Sequence, residues 1–232
     1  DRCLSRGLGD VYKRQPDEPI ASGARILRFR FGPDRYLRKE WLWPHLMQLV
    51  DRLVDHLRQP GQMVDWIHAH YADAGLVGSL VSERLGIPLV FTGHSLGREK
   101  QRRLLAAGGD LLQMERSYAI SARIDAEERA LAQADLIITS TRQEAEKQYS
   151  QYSSFQLQRA HVVPPGVDSS RFHPSATFSE KAELNQLLHP FLRDPSKPPL
   201  LAISRAVRRK NIPALVDAFG QSAALRQQFN LV

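Results

Sequence analysis

Apolar and polar positions change their period several times along the chain, most clearly in residues 64–97, VDWIHAHYADAGLVGSLVSERLGIPLVFTGHSLG. Two short apolar runs, Trp66-Ile67 and residues 87–91, each lead to a histidine beside small residues. Between them Leu76, Val77, Leu80, Val81 and Leu85 recur at helical spacing. The pattern predicts strand, helix, strand. In an open parallel sheet the ligand crevice lies at the carboxyl ends of the strands. His70 and Tyr71 then follow the first strand, and Gly93, His94 and Ser95 follow the second, on one rim of the sheet.

The same reading extends in both directions. Residues 24–31 (ARILRFRF) alternate apolar and basic side chains and predict a strand, closed by the turn Phe31-Gly32-Pro33-Asp34. Residues 36–57 carry Leu46, Leu49, Val50, Leu53, Val54 and Leu57 at helical spacing, with Pro44 tolerated in the first turn. The entry to that helix, Arg38-Lys39-Glu40, brings a basic pair toward the crevice. After the break at Gly108-Gly109, residues 110–134 read as one long helix. Residues 135–140 (DLIITS) read as a buried strand, and Thr141-Arg142-Gln143-Glu144 has capping-box spacing. A short strand at 161–163 runs into Pro164-Pro165-Gly166-Val167-Asp168. Residues 169–198 are looser and proline-rich, with one amphipathic helix near 180–192, and read as a linker. A strand at 200–204 (LLAIS) and a helix from Asn211 then open a second sheet.

These elements predict an α/β protein: a first Rossmann-like domain with a parallel sheet over residues 16–168, the linker at 169–198, and the first strand-helix unit of a second Rossmann-like domain at 199–232. One such unit cannot cover its own apolar face, so Leu215, Val216 and Phe219 are expected to be exposed.

Composition refines this picture. The chain has 232 residues, 42% of them hydrophobic, which is ordinary for a globular protein. It contains no run of about twenty apolar residues, and its start resembles neither a secretory signal nor a transit peptide. A cytoplasmic location without a membrane partner is expected. Residues 1–15 (DRCLSRGLGDVYKRQ) follow no period and read as an adaptor- or cloning-derived segment. They hold Cys3, the only cysteine, so the remainder offers neither disulfide nor thiol nucleophile. Setting them aside lowers the formal charge from +7 to +5, because they carry four basic and two acidic residues. That balance suits phosphorylated or nucleotide ligands, and a solvated basic face would produce it equally well. No Lys/Arg block is interleaved with aromatics, so a nucleic-acid partner is not expected. Nothing in the sequence identifies a protein partner.

Candidate chemistry collects on the predicted rim. Gly93 and Gly97 bracket His94, letting the backbone approach a ligand and offering N–H groups to an anion, with Lys100 just beyond. His68 reads as a hydrogen-bonded structural residue, whereas His70 and His94 read as functional. His68, His70, Asp73 and His94 are metal-ligand types, but the helical His-x-x-x-His spacing is missing and no metal is expected. Residues 205–210 (RAVRRK) place several cations on a strand-to-helix loop. Such a loop is either an anion site, with helix N-terminus and cations acting together, or a solvated basic turn.

Taken together, residues 70–75 (HYADAG), 93–97 (GHSLG), 123–128 (RIDAEE), 138–144 (ITSTRQE), 163–168 (VPPGVD), Ser204-Arg205 and Arg209-Lys210-Asn211 resemble the sucrose-phosphate synthase and sucrose synthase branch of the retaining glycosyltransferases with the GT-B fold. The resemblance covers nearly everything after Pro16, and the arginine-bearing helix and residues 141–144 favour the phosphate synthases. It implies a hexosyltransferase of sucrose biosynthesis that moves glucose from UDP-glucose or ADP-glucose to fructose 6-phosphate, with retention at the anomeric carbon. It places His94 at the reacting carbon as the catalytic residue. Lys39, His70, Lys100 and Arg123 are assigned to the substrate, and Arg205 and Lys210 to the donor diphosphate. No metal or further cofactor is implied beyond the nucleoside diphosphate sugar. Where members often carry paired arginines, this chain has Ala122-Arg123, which leaves room for a related acceptor or for a mannosylfructose-phosphate synthase using GDP-mannose. The glycine-rich N-terminal loop and the acidic motif of the second domain are missing, so a fragment inactive by itself is expected. A non-catalytic sugar-phosphate-binding domain is the other class considered.

Overall fold

The computed structural model describes residues 15–170, 172–173 and 186–232. Cys3 and the rest of the segment through residue 14 lie outside the described residues, as does the first part of the helix expected near 180–192. Two compact units divide at Pro165 and Gly166.

The first unit opens with an antiparallel hairpin, β1 (Asp17–Ala21) and β2 (Ala24–Leu27), turning at Gly23, whose φ is +72°. The strand expected over 24–31 therefore stops at Leu27. It pairs with an upstream partner, β1, that its proline and acidic residues hid from the alternation signal. The helix expected from residue 36 begins later. Single 3₁₀ turns at Lys39–Trp41 and Trp43–His45 precede α1 (Leu46–Leu57), since Pro44 fits a helix start and not a helix interior. Leu46, Val50 and Val54 recur every four residues on α1 and are all buried.

The organising stretch folds as the period demands: β3 (Ile67–His70), α2 (Tyr71–Leu85) and β4 (Leu89–Thr92), with Gly86 closing α2 in the left-handed conformation. After β4 come α3 (Gly97–Ala106), α4 (Leu111–Tyr118), α5 (Ile120–Gln133), β5 (Leu136–Thr139) and β6 (Ala160–Val162). The single helix expected over 110–134 is two helices, broken at Ala119, which sits at φ +44°. No glycine or proline marks that break. The expected capping box forms one place out of register: Thr141 Oγ1 accepts from Glu144 N at 3.1 Å, but Glu144 Oε2 reaches Ser140 N at 2.8 Å instead of Thr141.

Strands β3, β4, β5 and β6 form one parallel sheet in that spatial order, so all four carboxyl ends share an edge. One core lies under the sheet, where Leu89, Phe91 and Ile137 meet Ala130 and Leu131 of α5 and Tyr149. A second fills the space between α1 and α2. Gly75 lets α2 approach both layers, because a Cβ there would lie 2.7 Å from Phe91 Cε2 and 3.0 Å from Ala130 Cβ.

The second unit pairs β7 (Pro199–Leu200) with β8 (Asn230–Leu231) in parallel around α6 (Ile212–Gln221) and α7 (Ala223–Gln228). Pairing extends to Ala202, whose N–H donates to Val232 O at 2.9 Å, while Ile203 is 85% exposed. The strand expected over 200–204 thus begins one residue earlier, is only two residues long, and ends before Ser204. Leu215 and Val216 are exposed as expected, whereas Phe219 is half-buried. No helix among the described residues is long and apolar enough to cross a membrane.

Replacing Gly75 with Ala is expected to destabilise the first unit by about 1–3 kcal/mol, the cost of overpacking a filled core. A urea midpoint unchanged by Gly75→Ala would contradict the close approach of α2 to β4 and α5.

Candidate functional site

The carboxyl edge of β3 and β4 presents adjacent backbones, with His70 opposite Thr92 in the parallel register. Beyond β4 the chain makes a three-residue turn, Ser95 N donating to Gly93 O at 2.6 Å, with His94 at its centre and φ +55°. Tyr71, the first residue of α2, lies at φ +67°. These left-handed backbones bring the rings together. His70 Nδ1 and His94 Nε2 are 2.8 Å apart, one donating and the other accepting, and the Tyr71 ring centroid lies 4.7 Å from that of His94. The His68 ring lies tilted against His70 with centroids 4.1 Å apart and reaches Thr92 Oγ1 at 2.9 Å. His94 is therefore left with Nδ1 for any further contact. Burial holds both His68 and His70 below the usual imidazole value, with the neighbouring histidines adding repulsion.

Beside this stack lies a recess of about 340 Å³. Lys39 and Glu40 line it from the first 3₁₀ turn, Tyr71 and Asp73 from the start of α2, Lys100 from α3, Tyr118 from the end of α4, and Arg123 from α5. Tyr118 and Arg123 stand on either side of the break at Ala119, and both line this one space. The Lys100 ammonium sits 3.2 Å from the Tyr118 ring centroid. Its pKa is lowered, first by burial and then by the cations Arg123 and Lys39, with Glu40 opposing. Three cations held close without full neutralisation make a recess matched to an anion, and Asp73 and Glu40 add acceptors for hydroxyl groups.

Arg123 is fixed from behind. Its Nε donates to Glu127 Oε1 at 3.0 Å, and one terminal nitrogen donates to Ser95 O and, at 3.3 Å, to Ser95 Oγ. Glu127 has no exposed surface and also accepts from Gly97 N at 2.8 Å and from the Tyr152 hydroxyl. Burial pushes the Glu127 carboxyl up, opposed by Tyr152, Arg123 and Gly97. The expectation that Gly93 and Gly97 offer free N–H groups to an anion is corrected here. Gly93 N donates to the Tyr149 hydroxyl at 2.7 Å, and Gly97 N is taken by Glu127. Glycine is needed for space instead: a Cβ at Gly93 would fall 2.5 Å from Leu96 Cδ2, and one at Gly97 would fall 2.8 Å from Glu127 Oε2.

Among the residues assigned from sequence, the structure brings together Lys39, Lys100 and Arg123 on the recess, with His70 and His94 paired beside it. Arg205 and Lys210 are exposed and belong to the other unit, on the loop before α6, where Asn211 takes φ +52°. Sequence reasoning missed Trp43 and Tyr118 as lining residues, and Glu127 as the support of Arg123. Only the spacing of Arg123 and Glu127, four apart on a helix, hinted at the last. Among the described residues no group of three His, Cys, Asp or Glu is placed to hold a metal ion.

The profile of the family described as Glycosyltransferase Family 4 matches residues 10–171, most of the chain. The chain belongs to glycosyltransferase family 4. Within curated proteins it is 34% identical to sucrose-phosphate synthase 4 of Arabidopsis thaliana, over 94% of this chain and 26% of that protein. It is 37% identical to the Arabidopsis thaliana protein named "Probable sucrose-phosphate synthase 2", over 91% of this chain and 24% of that one. The chain thus spans about a quarter of the length of these relatives. Among solved structures, sucrose-phosphate synthase from Thermosynechococcus elongatus matches 94% of this chain and 48% of its own, with a TM-score of 0.67 and 24% identity. The Anabaena HepE protein in complex with UDP-glucose matches 80% of this chain and 42% of its own, with a TM-score of 0.54 and 19% identity. The fold is α/β of the GT-B type, represented in part.

Removing the buried carboxylate with Glu127→Ala is expected to cost about 3 kcal/mol, since it strands Arg123, the Tyr152 hydroxyl and Gly97 N without a partner. Denaturant unfolding measures it, and a loss under about 1 kcal/mol would mean that water replaces the carboxylate. The histidine stack sets a pH dependence. Because His68 and His70 have lowered pKa values, the unfolded chain binds protons more readily below pH 6.5, so stability falls on acidification below 6.5. His70→Asn is expected to flatten that fall between neutral pH and about 5.5, and an equally steep fall in the variant would assign the dependence to other groups.

Proposed function

We propose that this chain is the acceptor-holding part of a retaining hexosyltransferase that moves glucose from UDP-glucose or ADP-glucose to fructose 6-phosphate, giving sucrose 6-phosphate. The observation that carries the reading is the convergence of Lys39, Lys100 and Arg123 with Glu40 and Asp73 on one recess beside the paired His70 and His94. A sugar phosphate has one dianionic end and several hydroxyls. The three cations suit the first, and the two carboxylates suit the second. Similarity to sucrose-phosphate synthases over nine-tenths of the chain favours a phosphorylated ketose as that ligand.

In this reading His94 stands at the reacting centre, held by His70 on one ring nitrogen and covered by Tyr71, so its remaining Nδ1 faces the sugar. The nucleotide leaving group gains negative charge as the glycosidic bond breaks. Arg205 and Lys210, on the strand-to-helix loop of the second unit, are the cations assigned to that charge. Each such donor is worth about 2.7–4 kcal/mol of barrier. The UDP-glucose bound to the Anabaena HepE protein, which shares the fold, supports a nucleoside diphosphate sugar as donor. The reading calls for no protein nucleophile, and a cytoplasmic location goes with it.

The test uses the full-length protein that contains this chain, with UDP-glucose and fructose 6-phosphate. Sucrose 6-phosphate is expected to form and to disappear in His94→Ala. Lys100→Ala is expected to raise KM for fructose 6-phosphate roughly ten- to a hundredfold, the loss of one charged hydrogen bond, while KM for UDP-glucose stays level. A folded enzyme that makes no product from any nucleoside diphosphate sugar would overturn the assignment.

A further inference from the structure

Away from the histidine rim, four guanidinium groups gather around the connection from β2 to α1, and only one of them is paired with an acid among the described residues. Arg28, Arg30 and Arg35 lie on this connection and Arg52 on α1, and together they line a recess of about 910 Å³. It shares no lining residue with the recess at Lys100. Arg28 is committed, pairing with Glu18 at 2.5 Å and donating to Gln15 O at 2.8 Å. Arg30, Arg35 and Arg52 have no ion-pair partner among the described residues, and Asp34 is the one acid among the lining residues.

The recess has a fixed frame. Gly32 N donates to Gln48 Oε1 at 2.9 Å, tying the loop to α1, and the Gly32 backbone sits at φ +70°. Phe31 packs against the core between α1 and α2, and Phe29 stands edge-on to His56 with centroids 5.3 Å apart. Both half-buried rings form part of the recess wall. Unpaired like charges on an anchored loop repel one another, and a multiply charged anion removes that repulsion. Guanidinium donors match phosphate oxygens two at a time, a geometry that an ammonium cannot copy.

We propose that this recess is a further anion site, which takes a small molecule bearing two or more phosphate groups through forked contacts from Arg30, Arg35 and Arg52. The site is independent of the glycosyl-transfer reading and of the residues assigned to it.

Calorimetric titration with pyrophosphate tests the site. It is run on the Lys100→Ala/Arg205→Ala background, so that both anion sites of the transfer reading are weakened. The background protein is expected to bind, and adding R30A, R35A and R52A is expected to weaken binding at least tenfold with an unchanged melting curve, because these side chains are exposed and unpaired. Adding R30K, R35K and R52K instead is expected to weaken it several-fold. Absence of binding at millimolar pyrophosphate, or an alanine triple variant that binds like the background, would overturn the site. A lysine triple variant equal to the background would also overturn it, by showing diffuse attraction in place of forked contacts.

Discussion

Glu127 is a carboxylate with no access to water, and the local geometry of the candidate site hangs on it. It holds the first N–H of α3, the Tyr152 hydroxyl and Arg123, and through Arg123 it reaches the Ser95 carbonyl. A charge placed this deep is tolerated only where several donors converge on it, and each of those donors is thereby fixed in position. The turn that carries His94 is clamped at both ends by this arrangement, with Gly93 N on Tyr149 and Gly97 N on Glu127. Arg123, one of the three cations that line the recess, is the outer end of a buried network.

Backbone strain collects in the same place. Of the four non-glycine residues with left-handed φ among the described residues, Tyr71, His94 and Ala119 surround the recess and the histidine pair. Conformations of this kind cost of order 1–3 kcal/mol each, and they persist where surrounding contacts over-determine them. Each changes the direction of the chain at the point where a ring or a cation must face the recess. Tyr71 turns β3 directly into α2, His94 turns β4 back toward His70, and Ala119 separates Tyr118 from the helix that bears Arg123. The fourth, Asn211, introduces α6 in the second unit, at the loop that carries Arg205 and Lys210.

Much of this was legible in the residues. The period change through residues 64–97 predicted β3, α2 and β4 and placed His70 and His94 at one rim, because side-chain burial on a sheet and a helix follows fixed spacings. The reading of His68 as structural agrees with its bond to Thr92 and its place inside the stack. Lys39 and Lys100 were picked out for their charge and for a family resemblance, and the structure brings them to one recess from segments sixty residues apart. Tyr118 carried no signal, since an aromatic at the end of an amphipathic helix looks like any other surface ring.

The sequence by itself determined the alternation of strands and helices, the edge on which the polar residues gather, and the family to which they belong. Local spacing decides the first two and can be read along a chain, while the family follows from motifs that resemble those of its known members. Only the tertiary structure decided what Gly93 and Gly97 are for, where the long helix divides, and which groups meet around Arg123. The two glycines answer to crowding by Leu96 and Glu127, and the N–H groups that seemed free are taken by Tyr149 and by Glu127. The break at Ala119 comes where an alanine takes a left-handed backbone, with no glycine or proline to announce it. Hydrogen-bond partners 25 to 56 residues apart, such as Tyr152 with Glu127 and Tyr149 with Gly93, exist only once the sheet has brought its neighbours together.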